Sequence, residues 1–146
     1  MIPVNIPLLN GREKELLIDC IDSGWISSDG PYVKKFEDSF SDFIGMSNGI
    51  AVTNGTTALE AALFAIDLKE GDEVIMPSFT IMSCAIATLR FGGKPVLVDI
   101  EPLTWNINVD QIESKITSRT KAIMAIHMYG HPCDLDPILA LAKKYN

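Results

Sequence analysis

The residues best suited to chemistry lie in one short polar turn, Asn54-Gly55-Thr56-Thr57. An apolar run, residues 49–52, precedes this turn, and an alanine- and leucine-rich segment with helical periodicity follows it. The first N–H groups of a helix have no partners within the helix, and the helix dipole favours negative charge there. Glycine allows a ligand to approach the backbone closely, and threonines add hydroxyl donors, so the turn is suited to hold an anion, most often a phosphate. A simpler interpretation, in which Asn54 or Thr56 only caps the helix, stays open.

The composition is that of an acidic globular protein. The 146 residues carry a net charge of −7, and 47% of them are hydrophobic. No apolar run reaches the ~20 residues that a membrane span needs, and no basic start followed by an apolar stretch suggests a signal peptide. The negative charge and the lack of a basic cluster argue against nucleic-acid binding. Scattered cysteines without a CxxC pair predict reduced thiols, a cytoplasmic location and no metal site.

The N-terminal part, residues 1–47, is predicted to be an extended arm followed by two helices, about residues 12–23 and 31–44. Four apolar residues recur at helical spacing in the second helix, which predicts that this face packs in a core: Val33, Phe36, Phe40 and Phe43. The loop between the helices contains one large aromatic residue and several polar ones. Such a loop can be a binding lip or an ordinary connector, and its composition leaves both open.

From residue 48 onward, strands and helices alternate four times, which predicts an α/β fold. The apolar strands have no polar face, so we expect both of their faces to be buried. This predicts a mainly parallel sheet with helices on both faces. Ligands of such sheets bind beyond the carboxyl ends of the strands, where four polar junctions are predicted. The predicted strands are residues 48–53, 73–76, 95–100 and 122–127, the helices are 56–66, 81–91, 109–116 and 135–145, and the junctions are 53–57, 77–81, 99–104 and 127–133.

Several of these segments together resemble a known family. They are Asn54–Leu59, Gly71–Ile75 followed by Pro77–Thr80, His127–Gly130 followed by Pro132–Asp134, and the upstream Ser23–Ser28. On these motifs the chain is identified as resembling the DegT/StrS family of pyridoxal-phosphate (PLP) sugar-nucleotide aminotransferases. The resemblance implies the aspartate-aminotransferase (fold type I) architecture, with residues 48–146 forming the first half of the PLP-binding large domain.

The resemblance also implies roles for particular residues. Three residues of the polar turn would hold the PLP phosphate: Gly55, Thr56 and Thr57. Ile81 stands where many members place an aromatic residue against the pyridine ring, and an aliphatic side chain can still cover that ring. His127 would lie near the cofactor, although a buried histidine satisfied by the backbone is an alternative. The residues expected toward the sugar nucleotide are Trp25, Ser27, Ser28 and Tyr129.

Within the family, two segments look closest to members that aminate C4 of a GDP-linked 4-keto-6-deoxy sugar, as in perosamine synthesis: Trp25–Ser28 and His127–Asp134. This subgroup implies glutamate as the amino donor and a homodimer as the complete protein. Two alternatives stay open. One is a non-catalytic module that binds PLP or a sugar nucleotide, and the other is a dehydratase of the same family, which uses histidine in place of the lysine.

The chain is less than half as long as members of this family. In the family, an aspartate that pairs with the pyridine nitrogen and the Schiff-base lysine lie further along, so both are expected beyond Asn146. No lysine present stands in a comparable place, and no catalytic residue is assigned within the chain. Because transamination needs that lysine, the 146 residues are expected to be an N-terminal part that is inactive alone.

Overall fold

The structure is a computed structural model that describes residues 1–3 and 5–146. The chain divides into two compact units, Met1–Ala51 and Val52–Asn146. The sequence suggested a boundary at residues 47 and 48. Among the described residues, no helix combines the length and the apolar character needed to cross a bilayer.

The first unit contains the two predicted helices, α1 (Glu13–Ser23) and α2 (Pro31–Ile44). Gly24 ends α1 in the left-handed conformation, with φ of 74°, which glycine adopts without steric cost. Pro31 is the first residue of α2, where its missing N–H costs nothing. The end of α1 at Gly24 and the start of α2 at Pro31 are therefore where these residues predicted.

The apolar stripe of α2 is not a packed core face, so this prediction was wrong. Phe36 and Phe40 stack on each other, with ring centroids 5.8 Å apart. The three phenylalanines nevertheless remain between 51% and 86% exposed. A stripe at helical spacing defines an apolar face, but burial needs a second element against it, and the first unit supplies none among its described residues.

The predicted strand at residues 48–53 is also absent. The backbone N–H of Ala51 donates to Glu37 Oε1 at 2.8 Å. This segment is therefore hydrogen-bonded to a side chain of α2 and not to a neighbouring strand. A side chain at Gly49 would approach the carbonyl oxygen of Glu37 to 2.8 Å, which only glycine avoids. Strand structure requires a hydrogen-bonded neighbour, and no described strand pairs with this segment.

The second unit is built on three parallel strands, β1 (Glu73–Pro77), β2 (Lys94–Val98) and β3 (Thr120–Ile123), in the order β2-β1-β3. β3 begins and ends earlier than predicted. Four α-helices accompany the sheet: α3 (Gly55–Ala65), α4 (Ser83–Arg90), α5 (Val109–Ile112) and α6 (Leu135–Tyr145). The single helix predicted at 109–116 is thus α5 continued by a 3-10 turn, Glu113–Lys115.

Helices cover both faces of this sheet, as predicted. Alternate residues of β1 point to opposite sides, so Val74 and Met76 pack with residues of α3 and α4, whereas Ile75 packs with residues of α5 and α6. Only the central strand is buried along its whole length. The expectation that every strand is buried was wrong for β2 and β3, because edge strands are flanked on one side only.

A buried carboxylate stabilises the amino-terminal edge of the sheet. The side chain of Glu73 is 3% exposed and accepts hydrogen bonds from Thr117 Oγ1 at 2.6 Å and from Arg119 Nη2 at 2.7 Å. These hydrogen bonds, from Thr117 first and then from Arg119, lower the pKa of Glu73 below its ordinary value. Glu73 therefore connects β1 to the segment that leads into β3.

We predict that Glu73→Gln destabilises the chain at neutral pH but not in acid. A glutamate with a depressed folded-state pKa contributes stability above its unfolded pKa of about 4.3, and this contribution is lost as the pH falls through the folded value. Urea denaturation at a series of pH values measures the free energy of unfolding of parent and variant. The difference between these two free energies should shrink as the pH falls. Glu70→Gln removes an exposed carboxylate from the preceding turn and is the charge-matched control. Equal, pH-independent effects of the two substitutions would contradict the prediction.

Candidate functional site

The polar turn predicted from the sequence is the capped N-terminus of α3. Asn54 is the cap, and its side-chain oxygen accepts the backbone N–H of Thr57 at 2.9 Å and the Thr57 hydroxyl at 3.2 Å. Asn54 is therefore the cap that the simpler interpretation predicted, and the cap leaves a further role in anion binding open. The cap also occupies the N–H and the hydroxyl of Thr57, so this residue offers a ligand less than its position suggested.

Two backbone donors remain at this helix end. Within residues 1–3 and 5–146, the N–H groups of Gly55 and Thr56 donate to no protein acceptor. A Cβ added at Gly55 would meet no atom within 4 Å, so the space beside this residue's Cα is open. Two adjacent N–H donors, the positive end of a helix dipole and open space together fit an anion such as a phosphate.

The sequence did not identify Ser83 as part of this site. The Thr56 hydroxyl donates to Ser83 Oγ at 3.0 Å and joins the first turns of α3 and α4. Because Ser83 accepts this bond, its own hydroxyl hydrogen is available to a ligand. The available signal was the position of Ser83 two residues after the predicted junction at 77–81.

The predicted junctions converge at the carboxyl edge of the sheet. Phe79 follows β1, Trp105 follows β2 and Tyr129 follows β3. The rings of Phe79 and Trp105 meet edge to face at 5.7 Å, and those of Trp105 and Tyr129 at 5.9 Å. The sequence predicted no role for the Phe79 or Trp105 side chain, because their ring contacts join segments about 25 residues apart. Ile81 lies at the same edge, 68% exposed.

The loop after β3 contains a tight turn at Met128–His131. The His131 N–H donates to the Met128 carbonyl at 2.8 Å, and φ is positive at both central residues, 49° at Tyr129 and 85° at Gly130. This is the pattern of a type I′ turn. A positive φ is common for glycine but costs energy for tyrosine, and such strain is frequent at functional sites.

His127 precedes this turn and is exposed, so the alternative of a buried histidine was wrong. The backbone does satisfy one ring nitrogen, because the Cys133 N–H donates to His127 Nδ1 at 3.0 Å. A neutral ring that accepts at Nδ1 carries its hydrogen on Nε2, which leaves a donor facing outward. Cys133 is itself buried, and burial raises the pKa of its thiol.

Three predicted substrate residues belong to the first unit. Trp25, Ser27 and Ser28 lie in the exposed loop between α1 and α2, where the Gly30 N–H donates to the Ser27 carbonyl. Their role toward a sugar nucleotide stays a prediction. Among the described residues, no group of three or more His, Cys, Asp or Glu side chains is arranged to hold a metal ion.

Comparison with known proteins identifies the family. A sequence model of the DegT/DnrJ/EryC1/StrS aminotransferase family matches residues 7–146. The chain belongs to this family. It is 48% identical over 145 residues to a GDP-perosamine synthase of Escherichia coli O157:H7, covering 99% of the chain and 40% of that protein. The corresponding enzyme of Caulobacter vibrioides is 46% identical, with 99% and 39% covered.

Two solved structures confirm the predicted fold. NtdA of Bacillus subtilis, solved with the bound cofactor PMP, superimposes with a TM-score of 0.87 at 32% identity, covering 99% of this chain and 35% of that one. An aminotransferase from Psychrobacter cryohalolentis gives a TM-score of 0.86 at 33% identity, with 96% and 36% covered. The chain thus spans about 40% of the length of the curated relatives it matches.

We predict that Asn54→Ala lowers the free energy of unfolding by about 1 kcal/mol, because α3 loses its N-cap acceptor. Asn54→Asp keeps an acceptor at the same place and is the matched control. Urea denaturation of both variants measures the difference. Equal losses of stability would show that the Asn54–Thr57 hydrogen bond contributes nothing to α3.

Proposed function

We propose that the chain binds pyridoxal phosphate, with the phosphate on the N-terminus of α3. The observation that carries this proposal is the pair of N–H donors at Gly55 and Thr56, which have no protein acceptor among the described residues. The space beside the Gly55 Cα is open as well. The Ser83 hydroxyl adds a third donor beside them. Thr57 acts through the cap, since its side chain and N–H hold Asn54 in place. Membership of an aminotransferase family supports the choice of this phosphate over others.

The remaining predicted cofactor residues would orient the ring. Ile81 presents an exposed aliphatic side chain at the carboxyl edge of the sheet, which suits the apolar face of a pyridine. His127 presents an Nε2–H donor at the same edge. When bound, PLP supplies the electron sink for moving an amino group between carbon atoms. In this proposal the named residues bind and orient the cofactor, and they take no part in making or breaking covalent bonds.

The proposed activity of the whole protein is transfer of an amino group from glutamate to C4 of a GDP-linked 4-keto-6-deoxy sugar. The support is that relatives at 48% and 46% identity are GDP-perosamine synthases. Tyr129 belongs to the site on the second unit, and Trp25, Ser27 and Ser28 are proposed to contact the sugar nucleotide. We further propose that the complete protein is a cytoplasmic homodimer.

Transfer of isotope tests this activity. The protein at its natural length, supplied with PLP, ¹⁵N-glutamate and a GDP-linked 4-keto-6-deoxy sugar, should place ¹⁵N on C4 of the sugar. NMR of the product locates the label, and the dTDP-linked sugar serves as a parallel substrate. Label found only in the dTDP sugar, or at C3, would contradict the proposed substrate. A protein that neither binds PLP nor transfers label would contradict the function.

We predict that Gly55→Ala separates folding from phosphate binding. Alanine is the better helix former and meets no atom at this position, so the free energy of unfolding should rise by about 0.5 kcal/mol. A methyl group beside the N–H obstructs the phosphate, so the affinity for PLP or inorganic phosphate should fall about tenfold, as expected for one lost hydrogen bond to a charged group.

Urea denaturation and phosphate titration, followed by the amide resonances of Thr56 and its neighbours, measure the two effects. Ala61→Gly is the converse control: it destabilises α3 at an exposed position further along the helix and should leave phosphate affinity unchanged. Undiminished phosphate binding by the Gly55→Ala variant would contradict the proposed cradle.

A further inference from the structure

Asn106 is the buried polar residue closest to the type I′ turn at Met128–His131. It is 5% exposed and lies directly after Trp105, in the segment that follows β2. Its backbone is fixed too, because the Glu101 N–H donates to the Asn106 carbonyl at 2.8 Å. Burying an amide without hydrogen-bond partners costs free energy, so a buried asparagine is normally hydrogen-bonded. The partners of the Asn106 side chain therefore indicate its structural role.

The Asn106 side chain holds both ends of the turn. Its Oδ1 accepts the Met128 N–H at 3.0 Å, where the turn begins. Its Nδ2 donates to the carbonyls of His131 at 3.1 Å and Pro132 at 3.0 Å, where the turn ends. One amide thus uses its acceptor and both donors across the base of a single turn.

Two other hydrogen bonds hold the same turn. The His131 N–H to the Met128 carbonyl closes the turn itself, and the Cys133 N–H to His127 Nδ1 joins the residues that flank it. If the base of the turn opened, the Cys133 N–H would move away from the imidazole. The ring orientation of His127 and the positive φ of Tyr129 therefore depend on the same base.

We infer that Asn106 is a positioning residue: it clamps the Met128–His131 turn and thereby fixes the His127 tautomer and the placement of Tyr129. Neither ring contacts the Asn106 side chain directly in the hydrogen-bond network, so the effect passes through the backbone. The importance of this placement for ligand binding rests on the proposed function, in which His127 and Tyr129 face the cofactor and the substrate.

Asn106→Asp is the sharpest test because it keeps the acceptor and replaces the Nδ2 donor with a charged oxygen. The aspartate can still accept from Met128, but its second oxygen would face two carbonyl oxygens and repel them. Asn106→Ser replaces the whole amide with a shorter hydroxyl, adds no charge and is the second variant. Asn108→Asp is the matched control, since it makes the same change two residues away at the N-cap of α5, where aspartate also caps.

Amide hydrogen exchange and the imidazole ¹⁵N shifts of the full chain are the measurements. For both Asn106 variants, protection of the His131 and Cys133 amides should fall at least about tenfold, while Ile75 and Met76 in β1 keep theirs. The His127 nitrogens should move from the Nε2–H pattern towards the average of the two tautomers. The Asn108→Asp control should show neither change.

Two results would overturn the inference. One is unchanged turn protection and an unchanged His127 tautomer in both variants. The other is a uniform loss of protection that includes β1, which would make Asn106 a general core residue. Titration with inorganic phosphate, read at Gly55 and Thr56, should be unaffected by the Asn106 variants. If the parent chain fails to bind phosphate, the proposed function fails, while the clamp is still decided by the exchange and ¹⁵N data.

Discussion

The second unit depends on the parallel pairing of β1 with both of its neighbours. A parallel pair requires the chain to return to the same edge before each new strand, so every strand ends at one side of the sheet. With β1 in the centre, the segments after all three strands meet at that side. The hydrogen bond from Thr56 to Ser83 brings the first turn of α3 to the same place. The site is therefore a consequence of strand direction, and not of any single motif.

The two edges of the sheet differ in what they do. At the amino-terminal edge, the buried Glu73 carboxylate accepts hydrogen bonds from Thr117 and Arg119. Its charge therefore joins two segments of the protein and is not available to a ligand. At the carboxyl-terminal edge, N–H and hydroxyl donors have no acceptor within the described part of the chain, and aromatic rings remain exposed. A protein with a net charge of −7 does not attract a phosphate by its overall field. Local dipoles at α3 must supply that attraction.

Strain at the carboxyl edge is held by hydrogen bonds from neighbouring segments. Trp105 and Tyr129 both have positive φ, 62° and 49°, which costs on the order of 1 kcal/mol or more for such residues. The Trp105 N–H donates to the Glu101 carbonyl, and the Asn106 side chain spans the turn that contains Tyr129. The two strained residues contact each other edge to face. Hydrogen bonds to the backbone therefore fix the placement of these two residues, while their rings stay exposed.

Features that depend on neighbouring residues were determined by the sequence itself. Helices α1, α2, α3 and α6 follow from periodicity and from their end residues, and the Asn54 cap follows from a residue three positions before its donor. The apolar central strand and its helices on both faces were predictable for the same reason. The cofactor residues could be proposed because the polar turn, with its glycine and hydroxyls, is a contiguous motif.

Only the tertiary structure decided the features that require a distant partner. Among the described residues, the apolar segment at residues 48–53 has no strand to pair with, and the first unit provides no element that covers the phenylalanine stripe of α2. Ser83 and Asn106 gained their roles from residues 27 and 22 to 26 positions away. A sequence pattern shows what a residue can offer, whereas pairing, burial and hydrogen bonding also require a group opposite, and folding alone determines which group that is.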